Sequence, residues 1–459
     1  MPNCVKLTCV CLMLFVQICK SQEEFFSEEE FIAVIKKYHP VAKQASLEVQ
    51  IAEANILSNR GAFDPAIRMD NTQKELDALK YYDQRITEIK IPTWYGIDLY
   101  AGRENIQGNR VNPEETKGSL TYLGFSVPLL QNLITDKRRA SLNQAKIFRD
   151  LSLMQKRIAI NDLLLDGLQA YWTWWAQYHL NELMKSSLQN AEKRFVLVKT
   201  AFELGDRPAI DTLEAYTQIQ TFVIKQNEAL TALIRANLQL STFLWTEDEG
   251  QYELPTDIAP HEWSPNHLLS IDELLDAAKL HPEITQYEFK LNVLEIDKRL
   301  KFQLLLPEVN LKYNQIGYDF TRTAKAAWFQ NDYRFGISLL MPLRLSEGRG
   351  EFQKAKFKIE QTRLEQKNKQ VQIQNKVKGY YTDFEQTTLQ LSIQQHLVLN
   401  TTALQRGEEL RFLNGESSLF LINSRELKTI ETTQKLIELR SANRKAMVNL
   451  KWSVGILSN

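Results

Sequence analysis

The residues best placed to do chemistry are two carboxylates, Asp211 and Glu214, lying three positions apart just beyond the glycine at 205. Residues at that spacing share a helix face. Copies gathered round an axis would form an acidic ring that selects or gates cations, whereas a solvated helix face uses the same residues for nothing more. The sequence leaves both open. His39 and His281 precede Pro40 and Pro282 without neighbouring ligands, which favours helix-terminal packing over metal binding. All four cysteines, Cys4, Cys9, Cys11 and Cys19, fall within the first 22 residues, leaving the remainder no disulfide framework or thiol chemistry. Neither a Gly-rich phosphate loop nor a Ser, His and Asp grouping stands out. No catalytic, cofactor or metal site is assigned, and the chain does not read as an enzyme.

The elements that must position the acidic pair are written twice. Tyr38-His39-Pro40 precedes a helical run ending at Phe63-Asp64-Pro65, and 242 residues on, Leu280-His281-Pro282 precedes a run ending at Leu306-Pro307. Val127-Pro128-Leu129 returns as Met341-Pro342-Leu343 at an offset of 214, and Phe202-Glu203-Leu204-Gly205 as Phe412-Leu413-Asn414-Gly415 at 210. Such a period is too long for a solenoid unit, so two large structural copies are joined in tandem. Copy one covers residues 23–265 and copy two 266–459.

Each copy opens with a short amphipathic helix that a His-Pro pair interrupts, because proline disfavours helical geometry before it and can itself begin a helix. A second helix follows, and then the period changes to two. Val309, Leu311 and Tyr313 alternate with polar neighbours, as do Ile67 and Met69; Phe335, Ile337 and Leu339 match Thr121, Leu123 and Phe125 on the return. One strand pair is expected within 62–128 and another within 306–342. Alternation alone fits a half-buried sandwich strand or a barrel strand facing lipid outward and water inward. The drop in offset places 28 extra residues between the first copy's strands, where Tyr95, Ile97, Leu99 and Ala101 alternate once more. That run is either another barrel strand or an outer extension.

Long helical hairpins are expected at 130–245 and 345–454. From Arg139 to Gly205 and from Arg349 to Gly415 the copies align without a gap or a proline. At 1.5 Å per residue each stretch makes a rod of roughly 100 Å. Ile147, Leu151, Met154, Ile158, Asn161, Leu165, Leu168, Trp172 and Trp175 follow a coiled-coil seam, and the aromatics from Tyr171 to Trp175 read as core. Each rod ends in a turn, at Gly205-Asp206 and at Asn414-Gly415. A polar linker, 246–265, follows the first hairpin.

Residues 1–22 read as a secretory signal, with Cys19 offering an alternative lipidated terminus. Fifty-six basic residues balance 56 acidic ones, so nothing points to nucleic acid. Two strand pairs give four strands, too few to close a barrel, and unpaired edges cannot face lipid. Three chains sharing one barrel would supply about twelve.

In this arrangement the chain resembles the TolC-type outer-membrane efflux protein family. The carriers are the paired His-Pro helices, the strand entries at Pro65 and Pro307, the strand exits at Pro128 and Pro342, and the Phe-x-x-Gly turns at Gly205 and Gly415, four features in order, twice. The resemblance implies a mainly α chain with a β-hairpin pair, a periplasmic α-barrel of tandem-duplicated helical hairpins, and a homotrimer whose four strands per protomer form a shared twelve-stranded barrel. It further implies a passive exit duct in the outer membrane of a Gram-negative bacterium, in contact with outer-membrane lipid. Its partners would be a periplasmic adaptor, or membrane fusion, protein and an inner-membrane pump of RND or ABC type, in an efflux or type I-like system carrying small molecules or peptides. The family pattern supports an acidic residue at Asp211; copy two departs from it, with Leu421 and Ser424 at the positions matching Asp211 and Glu214. A secreted coiled-coil scaffold explains the rods but gives no reason for paired amphipathic strands. A periplasmic enzyme lacks a constellation, and an adaptor would carry one hairpin.

Overall fold

The computed structural model describes residues 25–112, 115–255, 258–265 and 270–458, so the expected signal at 1–22 and Cys19 lie outside the described residues. Two compact units emerge, and each draws on both sequence copies: one from residues up to 35, 168–265 and 391–442, the other from 36–167, 270–390 and 443–458.

The His-Pro pairs act as helix starts. A strand β1 (Phe25–Phe26) leads into α1 (Glu28–Tyr38), and α2 runs Pro40–Arg60. His39 accepts the Val41 N–H on Nδ1 at 3.2 Å. In copy two α5 (Ile271–Ala278) precedes α6 (Pro282–Gln303), where His281 accepts the Glu283 N–H at 3.1 Å. In both helices proline takes the first position, where its missing N–H costs nothing, and histidine supplies the cap.

The rods are continuous: α3 spans Lys137–Glu203 with 67 residues and α8 spans Ser346–Leu413 with 68. Asp136 starts α3 by accepting the Arg139 N–H at 2.8 Å. Gly205 and Gly415 end the rods at φ +84° and +76°, and the Asp206 N–H reaches back to Ala201 O as the Glu416 N–H does to Arg411 O. This left-handed C-terminal motif satisfies carbonyls that the ending helix leaves open. The returning helices, α4 (Ala209–Ser241) and α9 (Leu419–Val454), are about half as long.

In the first unit the aromatic run is core, as expected. Tyr171, Trp172, Trp174 and Trp175 are all buried, and Phe31 stacks on Tyr171 with ring centroids 5.5 Å apart. Tyr171 donates to Phe26 O at 2.7 Å and Trp175 to His261 O at 3.0 Å. Those bonds fasten β1 and its parallel partner β6 (Ala259–Pro260) to α3. Such pairing gives the polar ends of the Tyr171 and Trp175 rings partners.

The second unit holds one antiparallel sheet in the order β2-β3-β4-β5-β7-β8: Ala66–Leu76, Leu79–Pro92, Asp98–Gln107, Gly118–Pro128, Glu308–Gly317 and Tyr333–Leu340. Pro65 and Pro307 immediately precede strands, Pro128 closes β5, and Pro342 follows β8. The strand count is six per chain where the sequence led to four. The 28-residue surplus of copy one is the cause, because it forms the further hairpin β3–β4 within the same sheet. The turn that joins β2 to β3, Asp77–Ala78, has both residues at positive φ (54° and 60°), as a two-residue hairpin turn demands. A short helix α7 (Phe320–Lys325), capped by Asp319, lies between β7 and β8. The seam residue Asn161 is buried but satisfied, donating to Trp452 O and accepting from the Leu457 N–H.

Candidate functional site

The alternation that builds the sheet sorts its two faces. One carries Ile67, Met69, Ile89, Ile91, Leu99, Phe335, Ile337 and Leu339, with Ile67 74% and Ile337 58% exposed. The other is polar and concave. Arg334 on β8 reaches Glu104 on β4 at 3.4 Å, across β5 and β7. Tyr122 lies over Gly102, where a Cβ would stand 2.4 Å from its ring, and donates to Glu88 at 2.7 Å. Lys90 pairs with Asp98 at 2.9 Å, and Lys312 sits over the Tyr100 ring at 4.9 Å. A curved sheet with Glu88, Lys90, Glu104 and Arg334 on its inner face and aliphatic residues outside toward its helix end suits water on one side and hydrocarbon on the other. Farther along, Asp83, Arg85 and Arg103 take over the outer face.

At the α3 end of the sheet, Asp98 also accepts from Arg138 at 2.9 Å, and Asp136 accepts from Arg138 and Arg139 at 3.2 and 3.1 Å. Burial works to raise the Asp136 carboxyl, but the Arg139 backbone and guanidinium bonds outweigh it and hold that group below the usual carboxylate range. These charges fix the β3–β4 turn to the start of the rod.

The acidic pair belongs to the other unit. Asp211 is half-buried in the first turn of α4, with its carboxylate 3.8 Å from Arg207, whose guanidinium lies 4.1 Å from the Phe412 ring centre. Glu214 accepts from Asn423 at 3.0 Å. Asn423 accepts in turn from Arg194 at 3.1 Å, and Arg194 grips Glu426. Leu421 and Ser424 are exposed. The two acids are therefore partnered within one chain, and a cleft of about 630 Å³ opens beside them, lined by Arg194, Leu197, Arg207, Glu409, Phe412 and Glu426 among others. Gly205, Asp206, Asn414 and Gly415 form the turns that carry these helices.

Sequence reasoning missed Arg194, Arg207, Asn423 and Glu426. A signal for three of them was present: at the offset of 210, Arg194 corresponds to Leu404, Asn423 to Leu213 and Glu426 to Tyr216. The network occupies positions where the copies differ, as Asp211 and Glu214 do. Among the described residues no group of three or more His, Cys, Asp or Glu could hold a metal ion, and no helix is long and apolar enough to cross a membrane.

No protein-family model and no curated protein matches the sequence. Solved structures do match the fold. The CmeC outer membrane channel of Campylobacter jejuni aligns over 93% of this chain and 85% of its own, at 13% identity and TM-score 0.63. The outer membrane protein VceC of Vibrio cholerae aligns over 93% and 96%, at 12% identity and 0.64. The open state of the Neisseria gonorrhoeae MtrE outer membrane channel gives 93% and 88%, at 14% and 0.64. The chain has the outer-membrane channel fold. Within that channel fold the duplicated hairpins and the amphipathic sheet are the features that the TolC-type resemblance implied, and the mainly α chain with an antiparallel sheet agrees with expectation.

Proposed function

We propose that the chain is the exit duct of a tripartite export system in the outer membrane of a Gram-negative bacterium. Three copies share one barrel that meets lipid, and the helical hairpins form a periplasmic conduit. A periplasmic adaptor connects it to an inner-membrane pump of RND or ABC type, which supplies the energy. The two tandem copies, 23–265 and 266–459, each contribute a rod hairpin, and the duct itself performs no catalysis.

The observation that carries this reading is the exposed aliphatic face of a sheet whose opposite face is charged, in a chain with the outer-membrane channel fold. A secreted scaffold would leave Ile67, Met69, Ile337 and Leu339 in water, and contiguous exposed apolar surface of that kind marks an interaction with lipid or protein. Within the duct, the pair Asp211 and Glu214, opposed by Leu421 and Ser424 in the second copy, lines the tip beyond the turns at 205 and 415. The test is recovery in the outer-membrane fraction as a detergent-requiring, heat-modifiable trimer that conducts ions across a planar bilayer. A monomer released by osmotic shock would end the proposal.

A further inference from the structure

Resting on the duct reading, we propose that each chain contributes six membrane-spanning strands, so that three chains close an eighteen-stranded barrel. The inserted hairpin β3–β4 lies within the sheet and runs its full height. At its outer end the Asp77–Ala78 turn joins β3 to β2. Its other end, residues 93–97, is closed by the Thr93 N–H to Ile97 O bond of 2.9 Å and rests on the helix side, where Trp94 stacks flat on Phe63 at 4.1 Å. Asp98 bonds Arg138 there, and Gly96, at φ +81°, leaves no room for a Cβ beside Arg139. An extension standing above the membrane would make none of these contacts.

In the half of the sheet nearer the helices the inserted strands also continue the apolar rows in register, with Arg85 and Arg103 on the same face beyond them. Ile67 faces Ile89, Ile89 faces Ala101, and Ala101 faces Leu123. A second row runs from Ile91 through Leu99, Phe125 and Tyr313 to Phe335. A one-residue slip at either inserted strand would turn its side chains to the wrong face. At 14 and 10 residues, β3 and β4 meet the 9 to 11 needed for a tilted spanning strand. The two open edges, β2 and β8, are then the surfaces that receive neighbouring copies. Barrel diameter grows roughly linearly with strand number, so eighteen strands in place of twelve widen the bore about 1.5-fold, to a size that leaves an aqueous channel. The outer end of such a duct passes bulky cargo without selecting it.

Single cysteines at Ile89, Leu99 and Ile337, introduced into a chain whose own cysteines all lie in the first 22 residues, test this with a membrane-impermeant maleimide on intact cells. Protection of all three, with labelling after denaturation, is the expected result. Labelling of Ile89→Cys and Leu99→Cys with Ile337→Cys still protected would place the hairpin outside the membrane and overturn the six-strand proposal alone. Labelling of all three would overturn the duct reading as well. Electron microscopy of the trimer in nanodiscs gives an independent count: eighteen strands support the proposal and twelve refute it.

Discussion

Arg194 holds Glu426 through two parallel hydrogen bonds of 2.6 and 3.0 Å, joining α3 to α9 next to the chain-reversing turns. The Glu426 side chain is only 5% exposed, so the pair is buried and its geometry is bidentate.

Removing one partner of that pair strands the other. Arg194→Ala should destabilise the protein by about 3 to 5 kcal/mol, the usual cost of an uncompensated buried charge. The double variant Arg194→Leu/Glu426→Leu should recover most of the loss. Thermal melting of the purified protein checks both, and equal losses in the single and double variants would show that the charges are not coupled.

Asp211 shares its field with Arg207. Asp211→Asn leaves the guanidinium uncompensated, so the cation-to-anion permeability ratio should fall. Reversal potentials under a salt gradient measure it, and the fall should shrink as ionic strength rises. An unchanged ratio would make Asp211 part of a solvated face.

His281 caps α6 through a neutral Nδ1. Burial, aided by Lys376, pushes the ring below its ordinary 6.5, while Glu283, a hydrogen bond at Trp452 and Asp162 pull the other way without prevailing. A lowered folded value means the neutral ring is favoured in the native state. Its stability contribution is therefore complete above pH 6.5 and is lost as the pH falls through the lower folded value. Melting temperatures should decline as the pH is lowered from 6.5 through that folded value. His281→Asn, which keeps a capping acceptor, should flatten this component of the pH profile, and His281→Ala should cost about 1 kcal/mol.

Two glycines with equal space around them should respond in opposite directions. Neither Gly205 nor Gly379 has an atom within 4 Å of where a Cβ would sit, but only Gly205 has positive φ. Gly205→Ala should destabilise by about 1 to 2 kcal/mol through the left-handed backbone. Gly379→Ala, inside α8, should stabilise by up to about 1 kcal/mol. Parallel melts of the two variants decide, and shifts of the same sign would contradict the backbone explanation.

Much of this fold was legible because its punctuation is local. His39-Pro40 and His281-Pro282 mark helix starts by cap chemistry, and Gly205 and Gly415 mark ends by φ, so neither depends on distant packing. The equal rods followed from an ungapped alignment, and α3 and α8 differ by one residue. The strand count was less accessible. Along β3, Lys80, Asp83, Arg85, Glu88 and Lys90 leave Ile89 and Ile91 as the aliphatic signal of the outer face, and no second copy exists for comparison. Such a strand reads as a polar loop until its neighbours supply the register. Asp211 and Glu214 were visible as a spacing, whereas Asn423 and Glu426 reach their partners from more than 200 residues away.

A hairpin added between β2 and β5 returns the chain to the side from which it left, so the direction of every later element is preserved. Inserting one strand would have inverted the rest of the molecule; inserting two is silent to it. A sheet widened by whole hairpins therefore leaves the helices that follow it running as before, and the Trp94–Phe63 stack is the joint at which this added module meets the helical side.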